Sequence, residues 1–438
     1  MSTGSDPTIS HVTARRIWDS RGRPTLEVDV TLADGSIGRG IAPAGASRGS
    51  REAVDRRDGG NAFGGLDVQH ARRGVQDEIA PLLIDRDARD QRSIDAALIA
   101  LDGTPNKARL GGNALVAASL ACLHAAAASA RQPLWRYLAQ GKPVRLPLPE
   151  IQIFGGGAHA GRRIDIQDLM VMAIGARTFA ESLEITANIY AAAGTLMRAR
   201  GRLQGVADEG GHWPAFDSNE EALEALMRAI EAAGYTPGVE AAISLDIAAS
   251  EFGRNGHYRL GLDKTELSSD GLCELLLRWC ERFPIVSIED PLAEDDREGM
   301  RRFTAAVGNR IQVIGDDYLV TQAALVEQAV RDASVNAVLI KVNQVGTVTE
   351  AQAALMAAQA AGFATIVSAR SGETEDTSIV DLSIGWNAGQ LKVGSFARSE
   401  RMAKWNAVLR IEEALGADAV FAGASVLPGR KATALRGS

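Results

Sequence analysis

The sequence predicts an α/β protein, a C-terminal barrel of alternating strands and helices preceded by a smaller α+β capping domain. Three observations carry this. Short apolar runs end in acid or lysine at Ala242–Asp246, Ile285–Glu289, Ile311–Asp316, Val338–Lys341 and Gln390–Lys392, as expected of buried strands that deliver charged residues to the mouth of a parallel barrel. The later runs recur about every 25 residues, the length of a strand, a loop and a helix. Upstream, the text from Ile9 to Pro43 instead alternates apolar and polar residues around Arg21-Gly22 and Asp34-Gly35, which predicts an antiparallel meander.

The elements follow in order. Residues 1–10 read as a disordered tail and 11–143 as the capping domain. Within it, APAGASRGSREAVDRRDGG is too small and polar for a core strand and reads as a long loop able to act as a lid. Residues 67–138 read as helices, and the Ala-rich stretch Asn113–Ala130 as a packed helix. The barrel spans 144–425. It opens with VRLPLPE, continues through a second flexible loop around Phe154–Gly161, and has a long amphipathic helix at about 176–200. Asp208-Glu209-Gly210-Gly211 is a third turn carrying acid, and Ser218-Asn219-Glu220-Glu221 reads as a capping box for a helix ending at Gly234. Residues 426–438 read as an exposed tail.

Composition narrows the function. With 438 residues and a net charge of -8, the chain has room for a large core and lacks the basic balance expected for nucleic acid or an anionic membrane as main partner. Cys122, Cys273 and Cys280 form no CxxC pair, so reduced thiols in a cytoplasm-like compartment are expected. The polar N-terminus reads as free of a signal sequence. No GxGxxG or GxxxxGK[ST] follows an expected strand, which disfavours a nucleotide-binding fold.

Carboxylates at strand ends without nearby His or Cys suit a hard, oxygen-seeking ion, and Mg2+ fits best. Asp246, Glu289 and Asp316 are the candidate ligands, since like charges converging in one cleft require a cation. Lysines at a barrel mouth have readily lowered pKa values, which suits general-base work. Lys341 is the candidate base, positioned to remove a proton alpha to a carboxylate while the ion stabilises the resulting enediolate.

The text DSRGRPTLEVDV, GASRG, GGAHAG, DEGG, SLDIAASEF, IEDPLAEDD, IGDD, LIKVNQVGT, SARSGETEDT and GSFARSERMAKWNAVLRIEEAL resembles the enolase family across nearly the whole chain. The resemblance implies an enolase-type (β/α)8-like barrel with an α+β capping domain, dependence on two Mg2+ ions, a small phosphorylated acid as substrate, and a homodimer or a multiple of one. It places the first metal on Asp246, Glu289 and Asp316 and the second on Ser47. By the same resemblance Lys341 is the base, Lys392 neutralises the substrate carboxylate, and Glu209, assisted by Asp168, helps the C3 hydroxyl leave. Gln167, Arg370 and Ser371 bind substrate, the last two holding its phosphate, and His159 closes over the site from the second lid loop.

Four positions depart from the family pattern. Ala369 stands where histidine is usual, Gly155 where asparagine is usual, Asp168 for glutamate, and Arg48 for the threonine of GAST. Ala369 and Gly155 remove volume while Arg48 adds a donor for phosphate, phosphonate or carboxylate. The expected activity is conversion of 2-phosphoglycerate to phosphoenolpyruvate. The alternatives are a carboxyphosphonoenolpyruvate synthase-like enzyme of phosphonate biosynthesis and a catalytically silent scaffold.

Overall fold

The computed structural model describes residues 6–430. Strands Ile9–Trp18, Pro24–Leu32 and Ile37–Ile41 form the expected antiparallel meander. Its inner face packs on the helix Gly112–Ser129, which is long and apolar enough to cross a membrane but is 89% buried inside the protein. Glycine in the third strand lets that helix lie almost on the sheet. A Cβ on Gly38 would stand 2.1 Å from the Ala121 carbonyl oxygen, and one on Gly40 would stand 2.2 Å from that of Ala117. Gly40→Val is therefore expected to cost about 3 kcal/mol through overpacking, read as a lowered denaturant midpoint; an unchanged midpoint would refute the close approach.

Eight strands close the barrel in the order Leu148–Gly155, Asp168–Met172, Ala242–Asp246, Ile285–Glu289, Gln312–Gly315, Ala337–Ile340, Ala364–Ser368 and Gly389–Gly394, the last pairing with the first. From the third strand on, each crossover carries a helix: Ser269–Arg282, Arg297–Val307, Ala323–Asp332, Val348–Ala360 and Ser378–Gly385. The barrel is not wholly parallel, as the sequence suggested. Asp168–Met172 runs antiparallel to both neighbours, because the segment joining it to the first strand contains only a short 3-10 turn, Gly157–Ala160, and no helix to carry a parallel crossover. The first residue of this strand, Asp168, thus lies level with the last residue of its neighbour, Asp246.

Other expectations meet the structure as follows. The long helix is Phe179–Ala199, started by Thr178, whose hydroxyl accepts from the Glu181 N–H. Ser218 caps Asn219–Ala232 in the same way, but the Glu221 carboxylate reaches the Asp217 N–H rather than closing a reciprocal box. The tail read over 1–10 is shorter: the first strand already begins at Ile9, anchored by Ile9 N–H to the Arg86 carbonyl, and residues 1–5 lie outside the described part. At the other end, Leu427 is buried against Leu148, Met172, Ile174, Ala242 and Val286, so Val426-Leu427 seals the bottom of the barrel rather than standing in an exposed tail; residues 431–438 lie outside the described part. All three cysteines are free and buried. The capping domain is docked by Asp95, which takes the Ser119 hydroxyl at 2.6 Å and the Thr349 N–H of a barrel helix at 2.8 Å.

Candidate functional site

The strand ends converge as the residue types suggested. Glu289 lies beside Asp246 in the parallel register and Asp246 beside Asp168 in the antiparallel one. Lys392 rises from the last strand between them, its Nζ 2.7 Å from Glu289, 3.0 Å from Asp246 and 3.3 Å from Asp168. Burial works against this ammonium, but Asp246 and Glu289 outweigh it and hold its pKa well above the usual lysine range. Lys341, at the end of the strand Ala337–Ile340, pairs directly with Asp316. Its pKa is raised rather than lowered, contrary to the sequence expectation, because Asp316 outweighs the cost of burial.

The acids are left short of compensation. Glu289 is fully buried, one of its carboxylate oxygens, Oε1, has no hydrogen-bond partner, and burial followed by repulsion from Asp246 pushes its pKa well up. Such a group is costly without a cation. Asp246, Glu289 and Asp316 offer oxygen donors only, the set that suits Mg2+. The residues present therefore fit a magnesium site.

The tightest grouping of acids among the described residues is a different trio, Asp290, Asp316 and Asp317, with ligand oxygens within 4.8 Å of one another. Asp290 is committed to the backbone: its two oxygens accept the N–H groups of Asp316 at 2.9 Å and Asp317 at 2.7 Å, clamping the turn that aims Asp316. Gln344 donates to the other oxygen of Asp316 at 2.9 Å.

His159 forms the opposite wall. Its ring stands 3.4 Å from Asp168 and 3.7 Å from Glu209 and is within 3.1 Å of the Ser371 hydroxyl. Burial opposes its charge, but Glu209 and Asp168 raise its pKa to about 9. Since the folded value lies above the ordinary one, the stabilisation is complete below about pH 6.5 and is lost as the pH rises through about 9, up to about 3 kcal/mol in all. His159→Gln is expected to flatten the stability profile across that window in urea titrations; an unchanged slope would refute the pairing.

The remaining site residues are placed unequally. Gln167 donates to Asp246 at 3.1 Å. Ser371 also accepts the Ala46 N–H at 3.2 Å, so it touches both lid loops. Arg370 is buried and enclosed by the chain's own acceptors, Glu52, Asn343 and the Ser47 carbonyl. Ser47 is half-buried beside it, and Arg48 is exposed over a crevice with Glu52, Asn113 and Asn343. Gly155 opens no space: a Cβ there would meet that of Ala207 at 2.4 Å.

Sequence reasoning missed Gln152, which bonds Asp168 and accepts the Gly211 N–H at 2.8 Å, as well as Asp290, Asn343, Gln344 and Glu52. Asn343 and Gln344 lie within the quoted LIKVNQVGT, but amides carry no charge signal that would single them out.

Residues 143–429 match the family model described as "Enolase, C-terminal TIM barrel domain", and residues 9–138 match "Enolase, N-terminal domain". The chain is 50% identical over 427 residues to "Enolase 1" of Desulfitobacterium hafniense (strain Y51), covering 95% of this chain and 98% of that protein. It is 47% identical over 425 residues to "Enolase" of Acidothermus cellulolyticus, covering 96% and 97% respectively.

Proposed function

Since the chain belongs to the enolase family, we propose that it is a magnesium-dependent lyase that removes water from 2-phosphoglycerate to give phosphoenolpyruvate. The observation that carries this reading is the opposition of two walls. Lys341, buried beside a carboxylate cluster at the end of the sixth barrel strand, stands across the eight-stranded barrel from the second strand, where Asp168 and Glu209 pair with the His159 imidazolium. One wall suits proton removal and the other suits protonation of a leaving hydroxyl.

In this reading Asp246, Glu289 and Asp316 would hold one magnesium ion, and Ser47 on the first lid loop would be a ligand of a second. Bound magnesium supplies the positive charge that stabilises an enediolate. Lys341 takes the C2 proton onto Nζ. Glu209 passes to the C3 hydroxyl, which departs as water, a proton that the neighbouring His159 imidazolium, held by Asp168, supplies. Lys392 faces the substrate carboxylate, Gln167 orients it, and Arg370 and Ser371 receive the phosphate.

The relatives do not favour a phosphonate-pathway enzyme, and the room it would need at Gly155 is filled by Ala207. A silent scaffold would have no use for Lys341 and Lys392 buried among acids. Family membership also supports a homodimer or a multiple of one, which sedimentation would test. The activity itself is tested by absorbance near 240 nm on adding 2-phosphoglycerate with and without Mg2+. Magnesium-dependent turnover is expected; its absence with magnesium bound would overturn the assignment.

A further inference from the structure

The guanidinium of Arg370 is occupied before any substrate arrives. Nη1 donates to Glu52 Oε2 at 3.0 Å and to Asn343 Oδ1 at 3.0 Å, while Nη2 donates to Glu52 Oε1 at 3.0 Å and to the Ser47 carbonyl at 3.1 Å. This is the bidentate fork geometry that also suits phosphate. Arg370 and Glu52 are 3% and 8% exposed, so water weakens the pair little.

Two of these acceptors, Glu52 and the Ser47 carbonyl, belong to the first lid loop. Glu52 Oε1 also accepts the Gly49 N–H at 3.2 Å, which folds the loop back on itself, and the Gln344 side chain at 3.3 Å. Gln344 in turn donates to Asp316. At Gly45 the loop backbone presses so close to the arginine that a Cβ would stand 2.1 Å from Nη2. The loop and the arginine form one unit, closed by a single carboxylate.

We propose that Glu52 is a positioning residue that couples the first lid loop to the phosphate arginine, holding the fork of Arg370 until the substrate phosphate competes for it. This rests on the reading of Arg370 as a phosphate ligand. Arrival of the phosphate then changes the partners of the loop that carries Ser47, so that binding and loop movement are one event. Glu52 lowers affinity for anions and in exchange keeps the loop registered on the site. A purely structural acid would instead support both binding and turnover.

The test is Glu52→Gln in the magnesium-loaded enzyme. Inorganic phosphate is the competitive probe, and steady-state kinetics are measured on 2-phosphoglycerate. The expected result is a split, with phosphate inhibition tightened about tenfold and KM lowered because the guanidinium is uncompensated, while kcat falls at least tenfold because the loop has lost its tie. Arg370→Gln is measured in parallel. If it leaves phosphate inhibition unchanged, the phosphate reading of Arg370 fails. If it weakens inhibition while Glu52→Gln weakens it or leaves it unchanged, the coupling proposed for Glu52 fails. Should Glu52→Gln not fold, Glu52→Asp keeps the charge but withdraws it by one methylene, and the same split, smaller in size, is expected; its absence overturns the proposal.

Discussion

Replacing Lys341 by alanine is expected to lower kcat on 2-phosphoglycerate about ten-thousandfold, the upper range for loss of a positioned general base, without weakening the binding of divalent cation. The second half of this expectation separates chemistry from architecture. Lys341 pairs with Asp316, so the variant frees a carboxylate oxygen at the proposed magnesium site and calorimetry should find Mg2+ bound at least as tightly. Substantial residual turnover would remove Lys341 from the role of base. Lost magnesium binding would show instead that the lysine organises the cluster. The raised pKa of Lys341 in the chain alone adds a direction: whatever draws Asp316 away from the lysine also makes it easier to deprotonate.

Glu289→Gln is expected to abolish magnesium-induced stabilisation while leaving the metal-free protein at least as stable as the parent. Burial and Asp246 push the pKa of Glu289 well up, so its charge is costly without a cation and the uncharged amide removes that cost. Mg2+ at a hundred times its dissociation constant should stabilise the parent by about 2.7 kcal/mol, seen as a higher melting temperature, and turnover should vanish with that response. A variant that still gains the full magnesium shift would place the ion elsewhere, with the Asp290, Asp316 and Asp317 cluster the next candidate.

The architecture was legible wherever hydrophobic periodicity and chain-end chemistry coincided. Residues 285–288, interrupted only by Ser287, and Ala337–Ile340 are apolar runs that stop at a charge, the pattern of a strand buried on both faces that ends at the barrel mouth. The reversed direction of Asp168–Met172 was not legible, because strand direction is set by the length and structure of a connection rather than by the strand's own residues. The start of the tail, residues 426–430, was misread because Val426-Leu427 is only a short apolar pair followed by Pro-Gly-Arg, and its burial depends on the barrel floor that receives it. At the site, charged residues with a strand-end address could be found. Asp290, Gln152 and Glu52 act through backbone or side-chain partners far away in sequence, and spacing does not encode those partners. The space expected at Gly155 was a misreading of another kind, since the place of the missing side chain had already been filled by the Ala207 methyl, a neighbour distant in sequence.

The reversed strand also has a mechanical consequence. Because Leu148–Gly155 and Asp168–Met172 are adjacent and antiparallel, the segment carrying His159 leaves the rim and returns to it at neighbouring points, like a flap sewn along one edge. A crossover between parallel strands would have stretched the same residues from the rim to the opposite end of the barrel. The flap can therefore lift or lengthen while both seams stay fixed, and the seam at Asp168 delivers an acid to the cavity whatever the position of the cloth.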